Sequence, residues 1–246
     1  MIHFCYSLFI FTLMIFPPKT PSKLPPQNEW ISLFDGKTFK GWHRYNRTEM
    51  SPAWTIEDGA MKFNAQKARN YGDGGHNIIT EQEFTNFELS IEWKISKKGN
   101  SGIFWGVKEA PEYGEPYLTG PEIQVLDNDR HPDAFIRPKY HQAGALYDIV
   151  QPSVDVCKPA EEWNHVLLYI NHEENIGRVQ LNGTEIISFP IHGEAWETLI
   201  AQSKFRNPSH EDYTHAPDFG KFKTGKISLQ DHGDVVYYRN IKIREL

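Results

Sequence analysis

Glu122, Gln124, Asp127, Gln230 and His232 are the side chains whose types and spacing could do chemistry. In Gly120-Pro-Glu-Ile-Gln-Val-Leu-Asp-Asn128, read as a β-strand, side chains alternate between faces. Ile123 and Val125 point to one side, and Glu122 and Gln124 to the other, about 7 Å apart along the strand. Asp127 follows at the strand end. Gly225-Lys-Ile-Ser-Leu-Gln-Asp-His-Gly233 repeats the arrangement, with Ile227 and Leu229 on one face and Ser228, Gln230 and His232 on the other. Two such strands predict a polar cleft on a sheet, although exposed polar residues on an antiparallel sheet give the same pattern. A carboxylate and a histidine across one cleft can share general acid/base work, because both have pKa values tunable towards neutrality. The set Glu122, Asp127, His131, His141, Gln230, Asp231 and His232 can equally hold a divalent metal ion through Glu, Asp and His ligands. Asp127 also suits a turn-forming role, and His232 the cap of a hairpin.

No G-x-S-x-G elbow, Walker A loop, dinucleotide fingerprint, H-E-x-x-H or C-x-x-C occurs, so those chemistries have no local signature. Eleven histidines are present, none at tight metal-ligand spacing. Trp42, Trp54 and Trp105 are the aromatics considered for stacking on a sugar face, each also suited to a core.

The elements that must position these residues are mostly short strands. Trp30–Phe34 opens the folded domain. Ala53–Glu57 and Ala60–Phe63 flank Asp58-Gly59, and Arg178–Leu181 and Thr184–Phe189 flank Asn182-Gly183; both read as tight hairpins. Phe84–Ser96 alternates Phe87, Leu89, Ile91, Trp93 and Ile95 against Glu88, Ser90, Glu92 and Lys94, a long half-buried strand. Ser101–Val107 carries bulk on both faces and two glycines. His76–Thr80, Ala143–Ile149 and Trp163–Asn171 are further strands. Asn64–Gly75, Asp129–Gln142 and Lys204–Phe222 read as loops, and Gly193–Ser203 as the one sizeable helix. Gly225–Gln230 and Val235–Leu246 are expected to close the domain as a hairpin. The pattern predicts an all-β fold, a two-sheet antiparallel β-sandwich with one short helix.

The chain has 246 residues, 39% hydrophobic and 13% aromatic, enough for one large β domain with a sizeable core. A net charge of −6 and a pI near 6.0 give no electrostatic reason to expect nucleic acid. Phe4–Phe16 is an apolar run of signal-peptide length, which predicts export to the periplasm or beyond, with an uncleaved membrane anchor as the alternative. Residues 1–17 are thus a signal peptide or anchor, 18–28 a Pro-rich linker, and 29–246 the folded domain. Cys5 falls within the apolar run, so the mature domain keeps only Cys157 and no intrachain disulfide.

Several segments together resemble the 3-keto-disaccharide hydrolase domain family. They are Leu33-Phe-Asp-Gly-Lys37 with Gly41-Trp42, Phe84-x-x-Phe87-Glu-Leu, Asn100-Ser-Gly-Ile-Phe104, Gly120-Pro-Glu-Ile-Gln124 with Asp127-Asn128, Gly144-Ala-Leu-Tyr147, Trp163-Asn164, Leu181-Asn-Gly183, and Leu229-Gln-Asp-His-Gly233 with Arg239-Asn-Ile241. They run in family order from about residue 30 to the C-terminus. The resemblance implies a concanavalin A-like jelly roll whose concave sheet carries the site. It implies cleavage of glycosides already oxidised at C3, small carbohydrates being the partner. The residues found above fit this chemistry, with Glu122, His232 and Asp127 the catalytic candidates and Gln124, Gln230, Tyr147, Asn100, Trp105, Trp42 and His131 the substrate-binding ones. Many members carry Arg two residues after the Ile-Phe pair; here that place is Gly106. Such chemistry needs a base, an acid and a group that stabilises an enolate oxygen. Glu122 and His232 can divide the first two roles, and Gln124, Gln230 or a bound cation can polarise the ketone. An ordinary glycoside hydrolase and a non-catalytic carbohydrate-binding module of the same fold are the alternatives.

Overall fold

The computed structural model describes residues 29–71, 74–137 and 139–246. The expected signal peptide or anchor and the linker lie outside the described residues. Two antiparallel sheets face each other across an apolar core. The larger has eight strands: β1 (Ile31–Ser32), β3 (Trp54–Glu57), β4 (Ala60–Phe63), β6 (Phe87–Ile95), β9 (Asn164–Asn171), β10 (Ile176–Leu181), β11 (Thr184–Phe189) and β13 (Val236–Glu245). The smaller orders β2 (Trp42–Arg44), β5 (Ile78–Phe84), β12 (Gly225–Leu229), β7 (Asn100–Val107) and β8 (Glu122–Leu126) side by side. Both predicted hairpin turns form with positive φ at each central residue, Asp58 and Gly59 at 50° and 73°, Asn182 and Gly183 at 52° and 82°.

The core is built from the alternation visible in the sequence. Leu89, Ile91 and Trp93 of β6 meet Ile103, Trp105, Ile123, Val125, Ile227 and Leu229 of the smaller sheet in one cluster. Burying this much branched and aromatic surface is the main driving force for closing the sandwich. One polar tether crosses it: the Tyr238 hydroxyl on β13 pairs with Ser101 Oγ on β7 at 2.8 Å, and Ser101 Oγ donates to the Gln230 carbonyl at 2.7 Å. Both hydroxyls are buried and satisfied, so the tether fixes how β7 and the end of β12 sit over the larger sheet.

Three expectations are corrected. Gly225–Gln230 and Val235–Leu246 do not form a hairpin. β12 pairs with β5 and β7, whereas β13 pairs with β1, β4 and β6, so the chain crosses between sheets at His232-Gly-Asp234. Ala143–Ile149 is not a regular strand. It makes an isolated bridge from Leu146 to Ile123, because Gly144 and Asp148 take φ of 84° and 64° and interrupt the ladder. Asn64–Gly75 is not all loop, because α1 (Ala65–Tyr71) forms where the Asn64 side chain accepts from the Lys67 amide at 3.0 Å and good helix formers follow. Besides α1, α2 (Asp133–Ile136) is a single turn, and α3 (Gly193–Ile200) is the helix expected near residue 193.

Candidate active site

On the smaller sheet, the face turned away from the core carries a cavity of about 300 Å³. β8 supplies Glu122 and Gln124 to its floor. Because β7 pairs Phe104 with Glu122 and Gly102 with Gln124, these residues share that face. Gly102 is what lets Glu122 lie down across the sheet, since a Cβ there would come within 2.0 Å of Glu122 Oε1. The free edge of β8 is not left open. The Gln124 amide donates to the Ala145 carbonyl at 3.1 Å, and the Tyr147 amide donates to the Glu122 carbonyl at 3.0 Å. The irregular 143–148 segment therefore delivers the Tyr147 ring beside Glu122. At the far side of β7, the end of β12 brings Gln230, Asp231 and His232 to the mouth.

Further groups reach the cavity from long connections. Lys204, just beyond α3, extends its ammonium over the Tyr147 ring, 4.5 Å from the centroid, and donates to the Tyr147 hydroxyl at 3.2 Å. Tyr147 donates in turn to Asp133 Oδ2 at 3.3 Å. Behind them, His141 bridges Asp133 Oδ1 at 2.9 Å and Asp148 Oδ1 at 3.1 Å, its ring stacked on Tyr147 at 4.4 Å. Asp148 is fully buried and also accepts from the Lys204 amide at 2.6 Å and from Arg137 at 2.5 Å. One buried carboxylate thus ties three loop segments together and sets where Lys204 stands. Burial opposes the Asp148 charge, but hydrogen bonds from His141, the Lys204 amide and Arg137 outweigh it and hold the carboxyl below its ordinary range. Burial opposes the His141 charge too, and its two aspartate partners outweigh this, raising its pKa.

Glu122 is treated differently. The residue is 5% exposed, and burial pushes its carboxyl from 4.5 up to about 8. Asp133 adds to the rise, while Lys204 and His141 pull it back. Burial thus favours the protonated form of this carboxyl. Gln124, with its carboxamide nitrogen turned to Glu122, donates to Oε1 at 3.2 Å and to the Ser101 carbonyl at 3.1 Å. Gln230 lines the cavity, and its Oε1 is buried with no hydrogen-bond partner among the described residues.

Of the residues singled out from the sequence, the structure brings Glu122, Gln124, Asn100, Tyr147, Gln230, Asp231 and His232 to one cavity. The others lie elsewhere. Asp127 is buried at the end of β8, where it accepts from the Lys98 amide at 2.8 Å, the Asp129 amide at 3.3 Å and Arg130 at 3.2 Å; it shapes the turn and does not line the cavity. Trp42 and Trp105 are core residues rather than stacking platforms. Trp42 donates its indole N–H to the Leu33 carbonyl at 2.7 Å, and Trp105 packs against Phe189 between the sheets. Trp54 is likewise buried against Tyr238. His131 stands outside the lining, its Nδ1 accepting from the Asp133 amide at 3.1 Å. At Gly106, φ is 64°, and a Cβ on the neighbouring Gly225 would fall 2.4 Å from the Gly106 carbonyl carbon, so the two backbones cross closely there. Lys204, Glu115, Asn77, Asp133 and Asp148 were not legible as site residues, since none sits in a local pattern. Among the described residues, no three His, Cys, Asp or Glu side chains converge as a metal site.

Residues 29–244 match the model of the 3-keto-alpha-glucoside-1,2-lyase-like domain. A 3-keto-disaccharide hydrolase of Bacteroides thetaiotaomicron is 37% identical, over 88% of this chain and 78% of that protein. The crystal structure of a candidate glycosyl hydrolase from Parabacteroides distasonis superposes with a TM-score of 0.76 at 30% identity, covering 88% of this chain and 94% of that one. A second such structure from the same organism, at 22% identity and a TM-score of 0.63, shares the fold. With a two-sheet sandwich, a cavity on one sheet and a match along nearly all of the described residues, the chain belongs to the 3-keto-alpha-glucoside-1,2-lyase-like domain family and is a glycoside-cleaving hydrolase.

Proposed function

We propose that the enzyme cleaves 3-keto-glycosides by elimination followed by hydration. The observation that carries this reading is the buried Glu122 carboxyl on the cavity floor, with the Lys204–Tyr147 pair beside it and His232 at the mouth. A ketone at C3 acidifies the hydrogen on C2. His232 takes that proton, and the electron pair moves onto the C3 oxygen as an enolate. A carboxyl kept neutral by burial can donate a hydrogen bond to that oxygen, and Lys204 supplies positive charge. Collapse of the enolate restores the carbonyl, forms the C1–C2 double bond and expels the group on C1. Water then adds its oxygen to C1 while a proton returns to C2, so the net reaction is hydrolysis. This route does not require the paired carboxylates of an ordinary glycosidase.

The test is incubation with a 3-keto-glucoside and its unoxidised counterpart, each with and without chelator, followed by reducing-sugar detection. Turnover of the keto compound alone is expected. Equal turnover of both would replace this reading with ordinary glycoside hydrolysis, turnover of neither with a binding module, and loss on chelation would add a metal ion. We also infer that the protein is exported, on the strength of the apolar run Phe4–Phe16. Mass spectrometry of the mature protein is expected to lack that segment; an intact Met1 would mark an anchor.

A further inference from the structure

Glu115 stands where two spaces meet. With Asn77 it lines the 300 Å³ cavity, and the same two residues line a neighbouring cleft of about 440 Å³ walled by Asn46, Arg47, Pro111 and Gly114. Asn46, Arg47 and Pro111 continue into an outer cleft of about 710 Å³ beside His43 and Glu109. The three spaces share lining residues in sequence, stepping outwards from the Glu122 cavity.

The Glu115 carboxyl is held by one oxygen only. Asn77 Nδ2 donates to Oε2 at 2.8 Å, and Asn77 Oδ1 is itself fixed by the Asp231 amide at 2.9 Å, so the orientation of the amide is determined. Oε1 points towards Gly75, whose added Cβ would sit 3.8 Å away, and it accepts no hydrogen bond among the described residues. Burial, reinforced by the Asp231 charge, raises the Glu115 pKa. Asp231, the other acid at this wall, has both oxygens engaged, by the His76 amide and by the Gly233 amide at 3.2 Å. Glu115 is therefore the carboxyl left with a free oxygen at the junction.

We propose that the cleft beyond Glu115 binds the leaving group, a sugar or similar polyhydroxy alcohol, and that Glu115 protonates the departing oxygen. The assignment rests on the 3-keto-glycoside reading above. As the C1–O bond breaks, its electron pair stays on oxygen and takes the Glu115 proton, while the enolate forms the C1–C2 double bond. When water adds at C1, Glu115 recovers a proton from it, and the proton held by His232 returns to C2. Neither acid nor base is consumed.

Two 3-keto-glucosides separate this role from a structural one: a disaccharide, whose leaving alkoxide needs a proton, and a 4-nitrophenyl glucoside, whose leaving phenolate does not. Glu115→Gln is expected to lower kcat on the disaccharide by about 10²–10³ and on the nitrophenyl compound by less than roughly threefold. Equal losses on both would overturn the acid role while leaving the reaction itself intact; wild-type inactivity on both would overturn the reaction and this assignment with it. For the cleft, Gly114→Trp fills open space, because a Cβ at Gly114 meets nothing within 4 Å. It is expected to raise KM for the disaccharide about tenfold without changing KM for a methyl 3-keto-glucoside. Unchanged KM for both would place the leaving group elsewhere.

Discussion

The two sheets share a core but differ on their other faces. In the larger sheet, β6 alternates buried and partly exposed residues along its whole length. Its outer face is a ladder of cross-strand pairs: Glu92 with Arg239 at 2.8 Å, Lys94 over the rings of Trp163 and Tyr237, and Arg239 over Trp163. The cations lie over those rings, and the charges of this face keep contact with water. In the smaller sheet, every residue of β7 and β8 is buried. The loops that supply Glu115, Tyr147 and Lys204 roof the outer face, and carboxyl groups there lose solvent. The same residue type thus behaves in opposite ways. Glu92, despite partial burial, is held below its ordinary pKa by Asn240 and Arg239, whereas burial raises Glu122 to about 8. What separates a supporting face from a reactive one is the roof, since both present glutamates on antiparallel strands.

The contrast is broken or sharpened most strongly by paired substitutions. Glu122→Leu, which removes the hydrogen-bond donor to the enolate, is expected to lower kcat on a 3-keto-glucoside by about 10²–10³. Glu122→Gln keeps shape and a neutral donor, so kcat should fall by less and stability should change by less than about 1 kcal/mol. Glu92→Gln in the other sheet should leave kcat unchanged and cost no more than about 1 kcal/mol. Kinetics and thermal melts on these variants decide the matter; a near-wild-type rate for Glu122→Leu would make that residue scaffold.

Smaller, and read in stability, is the effect of adding a methyl group on each sheet. Gly102→Ala collides with Glu122, and Gly177→Ala would bring a Cβ within 2.3 Å of the Phe189 ring. Each is expected to cost about 1–3 kcal/mol through overpacking. Only Gly102→Ala should also depress kcat, because it dislodges the Glu122 carboxyl. Equal effects on turnover would show that activity follows general stability instead of the position of Glu122.

The smallest effect is a slope. A carboxyl whose folded pKa lies near 8 against an ordinary 4.5 favours folding fully below 4.5, and that contribution is lost as pH rises through 8. Between these values the folded state binds more protons than the unfolded one, so the Glu122 contribution falls with pH. Glu122→Gln should flatten this part of the stability profile, while Glu92→Gln should not. In the wild type, kcat should decline as pH passes about 8, when the hydrogen bond to the enolate is lost; a rise through the same pH would make Glu122 the base.

The legibility of the chain follows the same division. β6, β9 and the two tight hairpins were readable because a strand with one wet face writes period-2 alternation, and positive-φ turns select Asp-Gly and Asn-Gly. The face of β8 that carries Glu122 and Gln124 was readable for the same reason. Trp42 and Trp105 were misplaced because an aromatic side chain looks the same in a core as on a sugar platform. The 143–149 segment was mistaken for a strand because its composition fits one, while its role is to patch the edge of β8 through single hydrogen bonds.

By itself, the sequence determined the all-β class, the alternation that fills the core and the pairing of Glu122 with Gln124 on one face. These are local consequences of side-chain period and turn chemistry. The tertiary structure alone decided that β12 and β13 part into different sheets, that Asp148 anchors Lys204 beside Tyr147 from 56 residues away, and that Glu115 stands at the mouth of a second cleft. It also decided the charge of Glu122, because a carboxyl's proton affinity depends on how much water its surroundings exclude, and that exclusion comes from loops distant in the chain.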